Sequence, residues 1–597
     1  NSADTLNLTT SIGDITGNFI GNNSSSGGAI YNFSNKGIAS IGNIKGNFIC
    51  NSVFNTSASL GGAIYNSGEI GNITGNFISN SAISSAEYAQ GGAIFNTGKI
   101  GEIQGSFINN YTSGQGESFG GVIYNEAGSI SAIKGDFIDN KLDSTATLRG
   151  VALINKNSHI GNIEGSFIRN IGNNTGKYYA MGGAILNSTY STIDSIKGDF
   201  IKNSLTGAIN NALGGAIMNN AYSKIYYIHG NFIDNSVTSL GASANGGAIW
   251  NSDTLGSITN STFLNNYAKS ESGTAQGGAI YTTKDLNIVA DNGQSVFRGN
   301  YTEENGKRDD NAIYADQGAA VNFQVKNNGR IDLYDNIRGA SAEITETDDN
   351  GNETKYIKNY SVNITGDGSG TFGMYNDMYD ANLSVGNTTL NTVNNQVHTY
   401  NVNTLTLTAD TNLVADVDLK NKDMDKFTAS TYGQHQGNLN VIGMNLLSDA
   451  KEDKTEILFA QQGLKDNVAN KTDKLPGSYQ TAYTPIYKYS VTYDNREDGG
   501  YFVFNKGGLN GSNQSDAFNP AVLSAPVSSV AASQATINET FKHVFEHSDS
   551  FTQMPSLERM ARINANKYAL NDTNSQADAS TDFNHNLGSL CPEHNNK

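Results

Sequence analysis

The sequence predicts an all-β protein, a right-handed parallel β-helix (a β-solenoid) followed by a short α-helical C-terminal linker. Two observations predict the coils of the helix. One motif recurs at intervals of 29 to 34 residues, and each of its columns keeps one kind of residue from copy to copy. No proline precedes Pro476, which suits an uninterrupted system of strands because proline removes a ladder donor.

The first column is a phenylalanine inside "NFI" or its variants. An asparagine follows each phenylalanine by three residues, as Asn51 follows Phe48. We predict that the phenylalanines stack in the core and that the asparagines form a ladder of amides at a turn. The phenylalanines are Phe19, Phe48, Phe77, Phe107, Phe137, Phe167, Phe200, Phe232, Phe263 and Phe297.

The second column is the isoleucine of "GGAI", which stays aliphatic and therefore predicts an interior stack. Its members are Ile30, Ile64, Ile94, Ile123, Leu153, Ile185, Ile217, Ile249 and Ile280. The apolar residues do not recur at helical spacing, and each copy consists of short β-type stretches between Gly, Asn and Ser. A single copy cannot bury its own apolar face, whereas stacked copies can. The paired glycines predict backbone angles or close packing that a Cβ atom would prevent.

The residue after each column isoleucine forms a third column, largely aromatic, from Tyr31 to Tyr281. Strand alternation places it opposite the isoleucine. It is either an external stripe that could stack on sugar rings, or a surface covered by the segments of variable length, or part of the core. Those segments, such as "SAISSAEYAQ" at residues 81–90, lie between the asparagine and the glycine pair, and we predict that they project from one side of the rod.

The pairing of "GGAI" with Phe-x-x-Asn resembles the passenger repeats of chlamydial polymorphic outer-membrane proteins and, more widely, bacterial autotransporter passengers. The resemblance covers residues 12–314, and the copy near residue 150 departs from it. It implies a surface-exposed passenger that acts as an adhesin or interaction scaffold. Implied partners are host or bacterial surface glycans or proteins, another copy of the rod, and an outer-membrane barrel in the full-length protein.

Three regions follow from composition. Residues 1–314 carry the repeats, and residues 315–505 keep β alternation without the motif, as in "NTLTLTA". The latter resemble the capping coils of autotransporter passengers, which often assist folding during secretion. Residues 506–597 begin with a polar linker and continue with two stretches of helical spacing. They are too few and too polar for the membrane barrel that the resemblance implies.

The charge balance bears on possible partners. The net charge is −18 and there is no basic run, which argues against nucleic acid and against electrostatic docking on an anionic membrane. No run of 18 apolar residues predicts a transmembrane helix. Two cysteines in 597 residues form no disulfide framework and match no zinc spacing.

Parallel β-helices also host polysaccharide lyases and hydrolases, which need paired carboxylates on adjacent coils. Asp136, Asp139, Asp199 and Asp234 lie in the repeats, but at positions occupied elsewhere by uncharged or basic residues, so a solvated face explains them. A calcium-like loop at residues 345–352 lacks the closing glutamate of an EF-hand.

Histidines give no better site. His543 and His547 have helical spacing without further ligands, and His435 lies in a predicted turn. We predict no catalytic, cofactor-binding or metal-binding residue, and we expect an adhesin or scaffold at a bacterial cell surface rather than an enzyme. A polysaccharide-active enzyme is the alternative.

Overall fold

The computed structural model describes residues 1–3, 9–347, 353–468 and 481–507. It is a β-solenoid of about 14 turns, built from parallel strands that pair with the equivalent strands of the next turn. The parallel β-helix is thus confirmed. Among the described residues the only helix is the short 3₁₀ helix Lys465–Asn467. The predicted C-terminal helices lie outside the described residues.

One coil shows the plan, and the coil that begins at Gly61 serves as the example. Its strands are Ile64–Asn66, Glu69–Ile70, Ile73–Thr74, Phe77–Ile78, Ser81–Ser84 and Ala89–Gln90. Pairing to the next coil keeps the motif in register, with Ile64 opposite Ile94 and Phe77 opposite Phe107. Identical residues therefore meet at each column of the rod.

Three parallel sheets enclose the main core, and the first two are named after "GGAI" and "GNI" of the motif. The GGAI sheet contains Ser2–Ala3, Ile30–Ser34, Ile64–Asn66, Ile94–Asn96, Ile123–Glu126, Leu153–Lys156, Ile185–Ser188, Ile217–Asn219, Ile249–Asn251, Ile280–Thr282, Lys307–Ala315 and Asn336–Gly339. The GNI sheet contains Thr9–Ile12, Ile15–Thr16, Ile38–Ile41, Ile44–Lys45, Glu69–Ile70, Ile73–Thr74, Lys99–Gln104, Ser129–Lys134, His159–Glu164, Thr192–Lys197, Lys224–His229, Thr254–Thr259, Leu286–Asp291, Ala320–Lys326, Ser361–Gly366, Asn382–Gly386, Thr399–Leu407 and Lys426–Tyr432.

The Phe sheet completes the wall of the main core. It contains Phe19–Ile20, Phe48–Ile49, Phe77–Ile78, Phe107–Ile108, Phe137–Ile138, Phe167–Ile168, Phe200–Ile201, Phe232–Ile233, Thr262–Leu264, Gln294–Arg298, Arg330–Leu333, Thr371–Met374, Thr389–Asn391, Thr411–Asp418, Asp423–Met424 and Leu439–Ser448. Parallel stacking thus continues past the last copy of the motif.

Two further sheets use the segments of variable length. The lateral sheet contains Asn23–Ser24, Ser52–Asn55, Ser81–Ser84, Tyr111–Gly114, Lys141–Ser144, Ile171–Asn174, Ser204–Gly207, Ser236–Ser239, Tyr267–Ser270 and Tyr301–Glu304. The outer sheet contains Ser59–Leu60, Ala89–Gln90, Ser118–Phe119, Leu148–Arg149, Ala180–Met181, Ala212–Leu213, Ala244–Asn245 and Ala275–Gln276.

These two sheets correct the prediction that the variable segments project from the rod. Their inward side chains, among them Leu142, Leu148 and Leu205, bury a second small core. Exposed apolar side chains lie at the tips, as at Tyr88 and Tyr178, and at outward strand positions, as at Phe54. The prediction was wrong because each segment buries its own alternate apolar residues against the coil instead of leaving them in water.

Antiparallel strands occur near the C-terminal end of the described chain. Ala342–Thr347 and Glu353–Lys358 form a hairpin at the polar stretch that the sequence sets apart. A four-stranded antiparallel sheet follows the last coil. Its strands, in spatial order, are Lys454–Ala460, Gly500–Lys506, Lys488–Asn495 and Thr481–Tyr483.

The predicted interior columns are confirmed. Consecutive phenylalanine rings from Phe19 to Phe297 stack with centroids 4.6–4.9 Å apart, and the stack ends edge-on at Phe323. From Phe48 onward these rings are fully buried. Burial of one such ring contributes about 2–3 kcal/mol relative to exposure.

The predicted asparagine ladder is also present. From Asn22 to Asn300, each side-chain Nδ2 donates to Oδ1 of the next asparagine at 2.7–3.0 Å. The structure adds a second ladder from the asparagine of "IYN", which runs from Asn32 to Asn251 and ends on the hydroxyl of Thr282. Both ladders satisfy buried amides that would otherwise destabilise the core.

The glycine pair has two separate causes. Gly61 has a φ of +66°, and a Cβ there would lie 2.1 Å from the carbonyl oxygen of Ile64. Gly62 lies against the next coil, where a Cβ would be 2.0 Å from the carbonyl oxygen of Gly92. The first glycine is required by the turn and the second by the close contact between coils.

Candidate binding groove

The largely aromatic column points away from the main core and is covered for most of its length. Tyr31 is 43% exposed, whereas Phe95 is 6% and Tyr124 1% exposed. The outer sheet supplies the cover, with Phe119 and Leu213 packed on the column as a third core. Of the three interpretations, the one in which the variable segments cover the column is therefore the correct one.

A cavity of about 160 Å³ adjoins the covered part of the column, where Tyr124, Ile154 and Leu186 are at most 1% exposed. Residues of consecutive coils line it: Phe119, Tyr124, Arg149, Ile154, Lys156, Met181, Leu186, Ser188, Thr189 and Asn220. We call this cavity and its lining the groove. Its floor is the column itself (Tyr124, Ile154, Leu186), and one wall is the outer sheet. The open surface of the groove therefore belongs mainly to Arg149, Lys156, Met181, Thr189 and Asn220, above a buried apolar floor.

The two cations of the groove differ in their partners. Lys156 Nζ lies 2.5 Å from Glu126 Oε1, and the Tyr124 hydroxyl donates to Glu126 Oε2 at 2.8 Å. Burial raises the pKa of Tyr124, so its hydroxyl keeps its proton. Arg149 lies over the ring of Phe119 at 5.0 Å, and its buried Nε has no hydrogen-bond partner among the residues that the structure describes.

Two exposed tyrosines adjoin the groove in the chain. Tyr190 follows the lining residue Thr189, and Tyr222 lies two residues after Asn220. Their rings stack at 5.1 Å, and they are 68% and 67% exposed. Both have positive φ, +56° and +61°, which is strained for a bulky side chain. We call Tyr190 and Tyr222 the tyrosine pair. Strain of this kind concentrates at functional sites.

The acidic residues that the sequence singles out have structural partners. Asp136 Oδ1 accepts the backbone N–H of Ser166 at 2.8 Å, and Asp199 Oδ1 accepts that of Asn231 at 2.8 Å. They continue a turn column that asparagines begin, as in the bond from Asn47 N to Asn18 Oδ1. Burial raises the pKa of Asp136. One coil separates the two aspartates, so the structure does not bring them together as a pair on adjacent coils.

The remaining acidic candidates lie on the neighbouring column. Asp139 forms a bidentate ion pair with Arg169 of the next coil, at 2.7 and 2.8 Å. Asp234 occupies the same column, and both aspartates have positive φ. The left-handed turn favours the Gly, Asn and Asp of this column, and the ion pair with Asp139 gives Arg169 a partner there.

The structure also places His435. The backbone N–H of Leu407 donates to its Nδ1 at 3.0 Å, and its Nε2 lies 3.1 Å from the carbonyl oxygen of Gly463. Burial lowers the pKa of His435. This imidazole thus joins two coils near the C-terminal sheet. His543, His547 and most of the calcium-like loop, residues 348–352, lie outside the described residues.

One cluster of titratable groups could not be found from the sequence. His398 Nε2 lies 2.8 Å from Asp377 Oδ1, and this hydrogen bond raises the pKa of His398. The backbone N–H of His398 donates to Asp425, and burial raises the pKa of that carboxyl group to about 6. These residues come from different coils of the motif-free region, so no spacing in the sequence relates them.

The described residues contain neither a membrane-spanning helix nor a cluster of metal ligands. Across residues 1–3, 9–347, 353–468 and 481–507, no helix is long and apolar enough to cross a membrane. In those same ranges no three His, Cys, Asp or Glu side chains assemble as ligands for a metal ion.

No model of a known protein family matches the sequence, and no curated protein matches it either.

Proposed function

We propose that the chain is the surface-exposed passenger of a bacterial autotransporter and acts as an adhesin or interaction scaffold. The observation that carries this proposal is the groove with the adjoining tyrosine pair on the flank of the rod. About 14 turns at ~4.8 Å per turn extend the rod by roughly 65 Å. A stiff rod of this kind presents a lateral site at a distance from the membrane that anchors it.

The resemblance of "GGAI" and Phe-x-x-Asn to chlamydial passenger repeats supports the cellular setting. In that setting the chain lies outside the outer membrane, joined to a translocator barrel, and meets glycans or proteins of other cells or a second copy of the rod. Exposed aromatic rings favour such contacts because each ring buries a large area at a low entropic cost. Repeated weak contacts along the rod add to the strength of attachment.

Binding of the fluorescently labelled chain of 597 residues to epithelial and bacterial cells tests the proposal. We expect saturable binding that the double variant Tyr190→Ala/Tyr222→Ala lowers and that Tyr483→Ala, a matched exposed tyrosine of the C-terminal sheet, leaves unchanged. Pretreatment of the cells with protease or glycosidase separates protein from glycan receptors. Unsaturable binding that no variant alters would refute an adhesin function for this flank.

The alternative, a polysaccharide-active enzyme, is favoured by the Asp377–His398 pair beside the buried Asp425. Carboxyl and imidazole groups with raised pKa values are typical acid and base catalysts. Size-exclusion chromatography of polysaccharides after incubation with the chain distinguishes the two functions. If the wild-type chain shortens a polymer and the His398→Ala variant does not, the chain is an enzyme. If the wild-type chain leaves all polymer lengths unchanged, the adhesin stays the proposal.

A further inference from the structure

We propose that the groove binds a single carboxylate-bearing sugar ring, with the carboxylate at Arg149 and the ring beside Met181, above the buried floor of Tyr124, Ile154 and Leu186. This inference rests on the proposed function and names the ligand class of its site. Four observations carry it: the charges of the groove, its volume, its polar border and the adjoining tyrosine pair.

The charges favour an anion at one wall. Lys156 is neutralised by Glu126, whereas Arg149 forms no ion pair and its Nε has no acceptor within the described part of the chain. A partly buried guanidinium without a counterion gains most from a planar carboxylate, which can accept two of its N–H groups. The whole chain carries a charge of −18, so its overall field repels anions. Binding of an anion here therefore depends on the local charge of Arg149.

Glu117 is the remaining carboxylate near the groove. It accepts a hydrogen bond from the Thr147 hydroxyl at 3.3 Å and forms no ion pair with Arg149. Burial is the main cause of the raised pKa of Tyr124, and the charge of Glu117 adds to it. The carboxylate of Glu117 repels an anionic ligand. A substitution that removes this charge therefore tests whether the ligand is an anion.

The volume and the floor favour one ring. A cavity of about 150 Å³ in another protein accommodates benzene, and the groove measures about 160 Å³. One face of a pyranose ring is apolar, and the floor of Tyr124, Ile154 and Leu186 is apolar and at most 1% exposed. These floor side chains are covered, and the half-buried Met181 above them presents open apolar surface to such a face.

The border favours hydroxyl groups over an apolar ligand. Ser188, Thr189 and Asn220 follow the two cations in the sequence and also line the groove, and their side chains both donate and accept hydrogen bonds. The tyrosine pair follows these residues in the chain and offers exposed rings to the next sugars of an oligosaccharide. We therefore expect a uronic-acid oligosaccharide to lie across several coils.

Calorimetric titration of the chain of 597 residues tests the proposal with hyaluronan and polygalacturonate octasaccharides as probes. Each probe is compared with the same oligosaccharide after reduction of its carboxylates to alcohols. We expect a loss of affinity of about tenfold or more on reduction, because hydrogen bonds to a charged group are worth about 1.5–3 kcal/mol. Equal binding of the reduced probes, or no binding of any acidic probe, would overturn the proposal.

Variants assign the effect to the groove. Arg149→Gln should weaken the acidic probes about tenfold, Arg149→Lys should weaken them less, and Glu117→Gln should strengthen them. Lys202→Gln, which removes one charge at an exposed position of the rod outside the groove, should change nothing. Circular dichroism and thermal unfolding show whether each variant is folded. Wild-type affinity in folded Arg149→Gln contradicts the proposal.

A polyglutamate peptide separates a sugar acid from an acidic protein segment. Binding of the peptide as tight as that of the oligosaccharides, with the same dependence on Arg149, would show that the groove recognises the charge alone and would overturn the assignment to sugars. The cell-binding measurement remains independent of this result. If cells bind and acidic sugars do not, the ligand class is wrong and the adhesin stands, whereas failure of both removes the adhesin as well.

Discussion

Asn300 donates two hydrogen bonds to one carboxylate oxygen of Asp335, from its backbone N–H at 3.0 Å and from Nδ2 at 2.7 Å. Gly299 N–H donates to the other oxygen at 2.8 Å. Asp335 stands where the ladder would place its next asparagine. An ionised carboxylate only accepts, so it completes the ladder without a donor that would need a partner in a following coil.

The first prediction concerns this position. Asp335→Asn should lower the free energy of unfolding by about 1–3 kcal/mol, because the new Nδ2 group is a buried donor without the acceptor that the ladder supplies elsewhere. Asp234→Asn is the matched control, a half-buried aspartate at a turn, and should change stability by less than about 0.5 kcal/mol. Urea unfolding measures both. A neutral Asp335→Asn variant would show that the amide finds another acceptor.

The second prediction concerns pH. Burial raises the pKa of Asp335 and of Asp425 to about 6, and the hydrogen bond with Asp377 raises that of His398. All three groups bind protons more tightly in the folded than in the unfolded state. Their stabilising effect is therefore complete below their unfolded pKa values, about 4 for the carboxyls and 6.5 for the imidazole, and is lost as pH rises through the folded values.

The chain should accordingly unfold at a higher temperature at pH 5 than at pH 7.5. Repulsion among the carboxylates of an acidic chain acts in the same direction. The double variant Asp335→Asn/Asp425→Asn separates these causes, since it should flatten the dependence between pH 5 and 7. An unchanged slope in the variant would assign the effect to general repulsion.

The third prediction compares two glycines. A Cβ at Gly183 would lie 1.9 Å from the carbonyl oxygen of Gly215 in the next coil, whereas a Cβ at Gly13 meets nothing within 4 Å. Neither has a positive φ, so the comparison isolates the contact between coils. Gly183→Ala should destabilise by about 1–3 kcal/mol or more, and Gly13→Ala should not. Equal urea midpoints for the two variants would refute the close-packing argument.

The fourth prediction links strain with binding. Tyr222 has a φ of +61°, which costs roughly 1 kcal/mol for a bulky residue and less for asparagine. Tyr222→Asn should therefore raise the free energy of unfolding by several tenths of a kcal/mol while it lowers binding to cells. Tyr226→Asn, at an exposed strand position of the same coil, should not stabilise the protein. A stable variant with full binding would show that the tyrosine pair is not a contact site.

The sequence was sufficient for the columns because parallel, in-register stacking places each residue on its own counterpart. Phe48 meets Phe77 and Asn51 meets Asn80, so repetition along the chain becomes repetition in space. The second ladder, from Asn32 onward, was visible by the same argument in "IYN". The family resemblance and the cellular location stay predictions, because a solenoid fold hosts many functions.

The outer sheet and the groove could not be predicted in this way. Strands such as Leu148–Arg149 are two residues long, too short for any period to appear. Arg149 has no arginine counterpart in the neighbouring coils, so the groove arises from departures from the repeat. His398 and Asp377 likewise meet across coils of unequal length. The repeat therefore predicts the core, and its exceptions form the candidate sites.

The asparagine ladder also gives the rod an electrical direction. Every Nδ2–H···Oδ1 bond from Asn22 to Asn300 points toward the C-terminal end, so the amide dipoles add head to tail instead of cancelling. The positive end of this row meets the carboxylate of Asp335, as an anion meets the N-terminus of a helix. The two ends of this row of amides therefore carry opposite partial charges. Each asparagine donates to an acceptor that belongs to the following coil.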